Sequence, residues 1–284
     1  MSEQPHPRAG RLSTSSTREL LELMHAEDRR AVAAVGAHLD RVAAAVDAVA
    51  DRLRSGGRLH YFGAGTSGRL AALDAAECAP TFGVAADLVQ GHDAGDGEAE
   101  DDDRRGAAEA SAARLQAGDA VVGVSASGRT AYVLGALAEA RRAGSLVVTI
   151  SCAPGSPLGT TADLAIEIET GPEVIAGSTR LKAGTVQKVV LNMLSTGVFT
   201  RLGRTYRGRM VDVLASNEKL RRRAAGIVAD LTGASAARVD SALAEAGGSA
   251  KLAILMLRCG LAAGEARSRL SSAGGDLSAA LGET

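Results

Sequence analysis

Aromatic side chains are scarce in this 284-residue chain: three Phe, three Tyr and no Trp. With 46% hydrophobic residues, the core must be built from Leu, Val, Ile and Ala. Cysteine is equally sparse. Cys78, Cys152 and Cys259 lie far apart with no CxxC spacing, which argues against a disulfide framework or a structural zinc site. Neither sign of charge dominates: 32 basic residues against 33 acidic leave a net charge of −1. That balance gives no footprint for nucleic acid or for a membrane surface. No apolar run reaches the ~20 residues needed to cross a bilayer, and the polar first 17 residues do not read as a secretory signal. A soluble, cytoplasmic protein is expected. His6, His25, His38, His60 and His92 stand in no metal-ligand spacing, and His60 reads as a packed strand residue. Neither a GxSxG nucleophile elbow nor a GxxxxGK[ST] phosphate loop occurs.

What is present is a set of hydroxyl-bearing turns. Residues 62–82, FGAGTSGRLAALDAAECAPTF, run from a short strand into a glycine-rich turn with Gly65, Thr66 and Ser67, then into a helix ending near Glu77 and Pro80. Such turns present N–H groups and hydroxyls at the positive end of a helix, where a phosphate can sit. A related turn, GVSASGRT, carries Ser125, Ser127, Arg129 and Thr130 between a strand and a helix. A third, Gly177-Ser178-Thr179-Arg180, opens another helix, and Lys182 after it is a further candidate for binding the substrate. The glycines at 63, 65 and 68 also fit GxGxxG, and Asp93 could then serve as the acidic residue of a dinucleotide site. The recurrence of hydroxyl turns favours a phosphorylated sugar.

Between residues 57 and 210, strand and helix patterns alternate, with strands expected at 58–62, 87–90, 119–124, 145–151 and 164–169. The nearly all-apolar runs AVVGVS and SLVVTIS suit strands buried on both faces of a parallel sheet. The expected class is α/β, a parallel sheet sandwiched by helices. Residues 1–16 read as a mobile tail, 17–221 as the α/β domain with N-terminal helices, and 222–284 as a small helical domain. The N-terminal helices are expected to divide near residue 28. The second presents Val32, Val35, Leu39, Val42, Val46, Val49 and Leu53 on one face. The acidic stretch 93–109 reads as a solvated loop leading into a helix. Among possible acid–base groups, Glu77 lies amid Ala75, Ala76, Cys78 and Ala79, a setting expected to desolvate it in part and suit it to proton transfer. Cys78 reads as a buried, inert thiol.

The segments GAGTSGRL, LDAAECAPTFGV, VVGVSASGRTAYV, GPEVIAGSTRLKAGTVQKVVLNMLST and MVDVLASNEKL together resemble the N-acetylmuramic acid 6-phosphate etherase family, over about 13 to 283. That family belongs to the sugar isomerase (SIS) superfamily and is related to the glucokinase regulatory protein. The resemblance implies an SIS-type sheet with a UBA-like C-terminal helical domain, a homodimer, and no metal or organic cofactor. It also implies a carbon–oxygen lyase that acts on a phosphorylated amino sugar in peptidoglycan recycling. Its substrate, N-acetylmuramate 6-phosphate, would yield N-acetylglucosamine 6-phosphate and D-lactate. The family's DA(A/S)EC motif falls on Glu77, and its second glutamate on Glu100 within EAED. The segment between them is shorter than the family pattern by roughly two helical turns, with His92 to Gly97 replacing a glycine-rich stretch. The hydroxyl turns are implied to hold the phosphate. A non-catalytic phosphosugar regulator would keep those turns without both glutamates. An aldose–ketose isomerase would share proton abstraction at C2 but have no lactyl leaving group.

Overall fold

The computed structural model describes residues 4–95, 97–212 and 218–283. Contacts divide the chain into two units, Met1–Ala76 with Ala86–Gly197, and Glu77–Ala85 with Val198–Thr284.

In the first unit, α1 (Thr17–Ala34) begins with a capping box. Ser16 N–H donates to Glu19 Oε2 at 2.8 Å, and Ser16 Oγ accepts from Glu19 N–H at 3.3 Å. The helix does not divide near residue 28. It runs to Ala34, a 3₁₀ turn covers Val35–His38, and α2 spans Leu39–Arg54. No cap or breaker interrupts 26–34, and Gly36 lies in the observed turn. The turn re-phases the apolar stripe: Val42, Val46, Val49 and Leu53 are buried, whereas Val32 and Leu39 are exposed.

Five strands follow, β1 (Leu59–Gly63), β2 (Val89–Asp93), β3 (Ala120–Ser125), β4 (Leu146–Ser151) and β5 (Leu164–Glu167), all near the expected places except β2, which lies two to three residues later than expected. All pair in parallel, in the order β2-β1-β3-β4-β5, with Leu59 opposite both Val89 and Ala120. Every residue of β3 and β4 is buried, as the β-branched runs require. The connecting helices are α3 (Gly65–Phe82), α4 (Asp103–Ala112), α5 (Ala131–Arg142), the single turn α6 (Pro157–Thr160) and α7 (Lys182–Arg201). Winding reverses between β1 and β3, so the turns after these strands border the crevice where such sheets bind ligands.

The acidic stretch resolves into a 3₁₀ turn, Gly97–Asp101, and α4, whose N-cap Asp102 accepts from Arg105 N–H at 2.9 Å. Asp96 lies outside the described residues. The helices α4 and α5 touch through backbone. A Cβ on Gly106 would lie 1.9 Å from Tyr132 O, and one on Gly135 1.9 Å from Asp103 O. Only glycine permits that approach. Tyr132 OH donates to Glu109 Oε2 and locks the pair.

The second unit contains the last turn of α3. That helix continues past the expected stop near Glu77, through Pro80 to Phe82, whose ring stacks on Phe199 at 4.5 Å. A hairpin, β6 (Thr205–Tyr206) and β7 (Arg209–Met210), precedes five helices: α8 (Glu218–Thr232), α9 (Ala236–Glu245), α10 (Ala250–Cys259), α11 (Ala263–Ser272) and α12 (Leu277–Leu281). Val228, Ala253, Ile254, Leu255 and Leu277 centre their core. Lys251 is buried, and its Nζ donates to Gly203 O, Asp212 Oδ2 and Gly275 O. Residues 213–217 of the MVDVLASNEKL segment lie outside the described residues. No described helix is long and apolar enough to cross a membrane.

His60 is fully buried in β1, with Nδ1 3.3 Å from His92 Nε2, and its own Nε2 lacks a hydrogen-bond partner. His92 stacks on Phe62 at 4.2 Å. Burial, then the charges of Arg58 and His92, push the His60 pKa down to about 4, against a weaker pull from Asp119. Burial also lowers His92, and Glu109 opposes it. An unfolded histidine binds its proton near pH 6.5, whereas these stay neutral in the folded state well below that. Their contribution is therefore complete above about pH 6.5 and lost as pH falls toward about 4. Urea midpoints measured from pH 7.5 to 4.5 should decline over that window, and His60→Leu should lack part of the slope. A wild-type midpoint flat across the window would contradict this.

Candidate active site

The β3–α5 turn forms the most connected hydroxyl cluster. Ser125 Oγ lies 2.8 Å from Thr130 Oγ1 and 3.5 Å from Ser127 Oγ, and it accepts from Gly128 N–H at 3.0 Å. Ser127 Oγ accepts from Arg129 N–H at 3.2 Å. The turn is therefore pre-organised at the N-terminus of α5, where the helix dipole favours an anion.

A pocket of about 500 Å³ opens beside it, lined by Ser127, Arg129, Cys152, Thr170, Gly171 and Thr179, among others. It draws on segments beyond the carboxyl ends of β3, β4 and β5, and on the approach to α7. Of these lining residues, Ser127, Arg129 and Thr179 were expected from the sequence. Cys152, Thr170 and Gly171 were not, since only the sheet order brings the ends of β4 and β5 beside the serine turn. Burial, then the charge of Glu173, pushes the Cys152 thiol up to about 12, so it lines the pocket as an inert neutral group.

The other expected contacts are placed differently. Gly65 N–H donates to Gly95 O at 2.7 Å, which fixes the β1–α3 turn to the segment after β2. Thr66 packs beside the start of α7: a Cβ on Gly184 would lie 3.4 Å from its Cγ2. Ser67 is buried and donates to Gln187 Oε1 at 2.9 Å, linking α3 to α7. Ser178 is half-buried and closes a backbone turn, receiving Leu181 N–H at 3.1 Å. Lys182 is buried, with Nζ 2.8 Å from Glu27 Oε2. Burial alone would raise the Glu27 carboxyl, but the Lys182 hydrogen bond and charge, aided by His6 and Arg30, hold it below the usual range. Buried Glu173 accepts from Lys182 N–H at 3.1 Å and Ala183 N–H at 3.0 Å. The N-terminus of α7 is thus occupied by an internal carboxylate.

Glu100 sits half-buried in the 3₁₀ turn that follows β2, beside Ala99, which packs on the Phe62 and Tyr132 core. Glu77 belongs to the second unit and is exposed, not partly desolvated as its small apolar neighbours suggested. Those neighbours share its stretch of helix but not its face: Ala75 and Cys78 are buried while Ala76 and Glu77 point outward. Cys78 is buried as expected.

A parallel sheet with hydroxyl turns at its switch point defines a class, and a family model described as the SIS domain matches residues 103–197. Phosphoheptose isomerase from Francisella tularensis has the same fold, at 15% identity and a TM-score of 0.53, covering 66% of this chain and 100% of its own. The full chain is similar to "N-acetylmuramic acid 6-phosphate etherase" of Rubrobacter xylanophilus, 53% identical over 100% of this chain and 96% of that one. The protein of the same name from Symbiobacterium thermophilum is 52% identical over 87% and 84%. The chain belongs to the N-acetylmuramic acid 6-phosphate etherase family, and it is an etherase.

The Glu27–Lys182 pair should behave as a buried ion pair whose rupture strands a charge. Glu27→Gln or Lys182→Met alone should each cost about 3–5 kcal/mol, and the double variant less than the sum. Urea unfolding of the three variants checks this. Additive losses would mean that the two groups do not depend on each other.

Proposed function

We propose that the chain cleaves the D-lactyl ether of N-acetylmuramate 6-phosphate, releasing D-lactate and N-acetylglucosamine 6-phosphate, in the cytoplasm and as a homodimer. The observation that carries this reading is 53% identity along the whole chain to a relative bearing that substrate's name. The serine turn and its pocket supply what such a substrate needs: hydroxyl groups and a helix start for the 6-phosphate, and room for a hexose. Exposed Leu21, Leu73 and Met193 in the first unit are apolar surface that a second copy could cover. Light scattering at micromolar concentration should give twice the chain mass, and a monomer would remove the dimer.

The chemistry begins with the open-chain aldehyde at C1, which acidifies the C2 proton. A carboxylate takes that proton, and the C3–O bond breaks with its electron pair on the lactyl oxygen. A carboxylic acid protonates that oxygen, and lactate departs. Water then adds across C2=C3, placing hydroxyl on C3 and a proton on C2. Glu77 and Glu100 are assigned to this proton traffic from the motifs they occupy. Each positioned proton transfer is worth about 10²–10⁴-fold.

Run in ¹⁸O water, the reaction should place label on C3 of the sugar and none in the lactate ether oxygen. Glu77→Gln should abolish lactate release and C2 exchange with deuterated water while N-acetylglucosamine 6-phosphate still binds. Glu100→Gln should slow at least one step. Label in lactate, or near-wild-type turnover by Glu77→Gln, would overturn the mechanism.

A further inference from the structure

The serine turn at the start of α5 is built of hydroxyls and backbone N–H groups bonded to one another, with no lysine among them. Lys182, at the start of α7, has its charge committed to Glu27. Among the described residues lining the 500 Å³ pocket, Arg129 is the only cation. It is exposed, and no described carboxylate is paired with it. A guanidinium on a pocket wall with no counter-charge from the protein is set to take one from a ligand.

We propose that Arg129 binds the carboxylate of the lactyl group and thereby selects the muramyl sugar over its glucosamine counterpart. The inference rests on the etherase reading and assigns a role within it. The substrate carries two anions of different shape, a tetrahedral phosphate on C6 and a planar carboxylate on the lactyl arm at C3. Hydroxyls converging on a helix start suit the first. The planar fork of a guanidinium matches the second with two parallel hydrogen bonds, which a point-charge ammonium cannot reproduce. Arg129 also stands in the same turn as Ser125 and Ser127. Its long arm can extend along the pocket wall while the phosphate stays in the cradle behind it. The two anions would then hold the sugar at C6 and at the C3 arm, and so orient C3 and the adjoining C2. Once the ether is cut, the carboxylate leaves with lactate, and the sugar product keeps only the phosphate half of the grip.

The test compares a ligand that has the carboxylate with one that lacks it. Arg129→Gln and Arg129→Lys are assayed for kcat and KM on N-acetylmuramate 6-phosphate, and for competitive inhibition by N-acetylglucosamine 6-phosphate. In Arg129→Gln, KM for the substrate should rise about tenfold or more, the loss expected for hydrogen bonds to a charged group. The inhibition constant of the sugar product should change less than about twofold. Arg129→Lys should fall between Gln and wild type. A parallel rise in KM and inhibition constant would place the guanidinium on the phosphate and overturn the proposal, as would no change in either. Retained inhibition by N-acetylglucosamine 6-phosphate also reports an intact fold, and if Arg129→Gln does not fold, Arg129→Lys is judged on the same two constants. A wild-type protein that binds the product but releases no lactate would remove the etherase reading itself, an outcome distinct from lost discrimination in an active enzyme.

Discussion

The first turn of α7 is held by charges shut away from water, and the wall of the pocket depends on it. A helix start leaves backbone N–H groups without intrahelical partners, and here Glu173 takes two of them, from Lys182 and Ala183. The Lys182 side chain reaches Glu27 on α1, which is also held by Arg30. One buried cluster therefore joins the N-terminal helix, the segment after β5 and the start of α7. Thr179 and Ala183 stand on the pocket wall because this cluster fixes the backbone between them. Such an arrangement is costly to disrupt, because removing either member strands a charge in a medium that solvates it poorly.

The same cluster fills one helix start from within. While α7 is capped from within, the serines at the start of α5 are joined to one another.

Much of this was legible along the chain. The five strands stood out because β-branched runs of buried length have few other uses, and the serine turns because glycine and hydroxyls recur after strands. The family motifs named the reaction. What escaped notice depended on partners far away in sequence. Nothing local tells that Lys182 turns to Glu27, 155 residues earlier, or that Ser67 turns to Gln187, 120 residues later. The break between α1 and α2 was misplaced because a helical stripe of apolar residues runs through it with only a phase change. The exposure of Glu77 does not follow from its neighbours in sequence, because it is set by which side of the helix packs. The acidic stretch was expected to lead into a helix, and α4 starts within it, at Asp103, because its buried contact is made by glycine and alanine and needs no apolar stripe.

The sealed position of Lys251 has a practical side. The sequence contains only four lysines: Lys182, Lys188, Lys219 and Lys251. All three N–H bonds of the Lys251 ammonium are spent on two carbonyls and a carboxylate, and Lys182 is equally enclosed. Acylating reagents need a free amine lone pair and an open approach, so labels and cross-linkers aimed at side-chain amines will concentrate on the remaining two. An amine footprint of this protein is therefore a sparse map, and the appearance of either buried lysine in it would register loss of structure before any spectroscopic signal averaged over the whole chain.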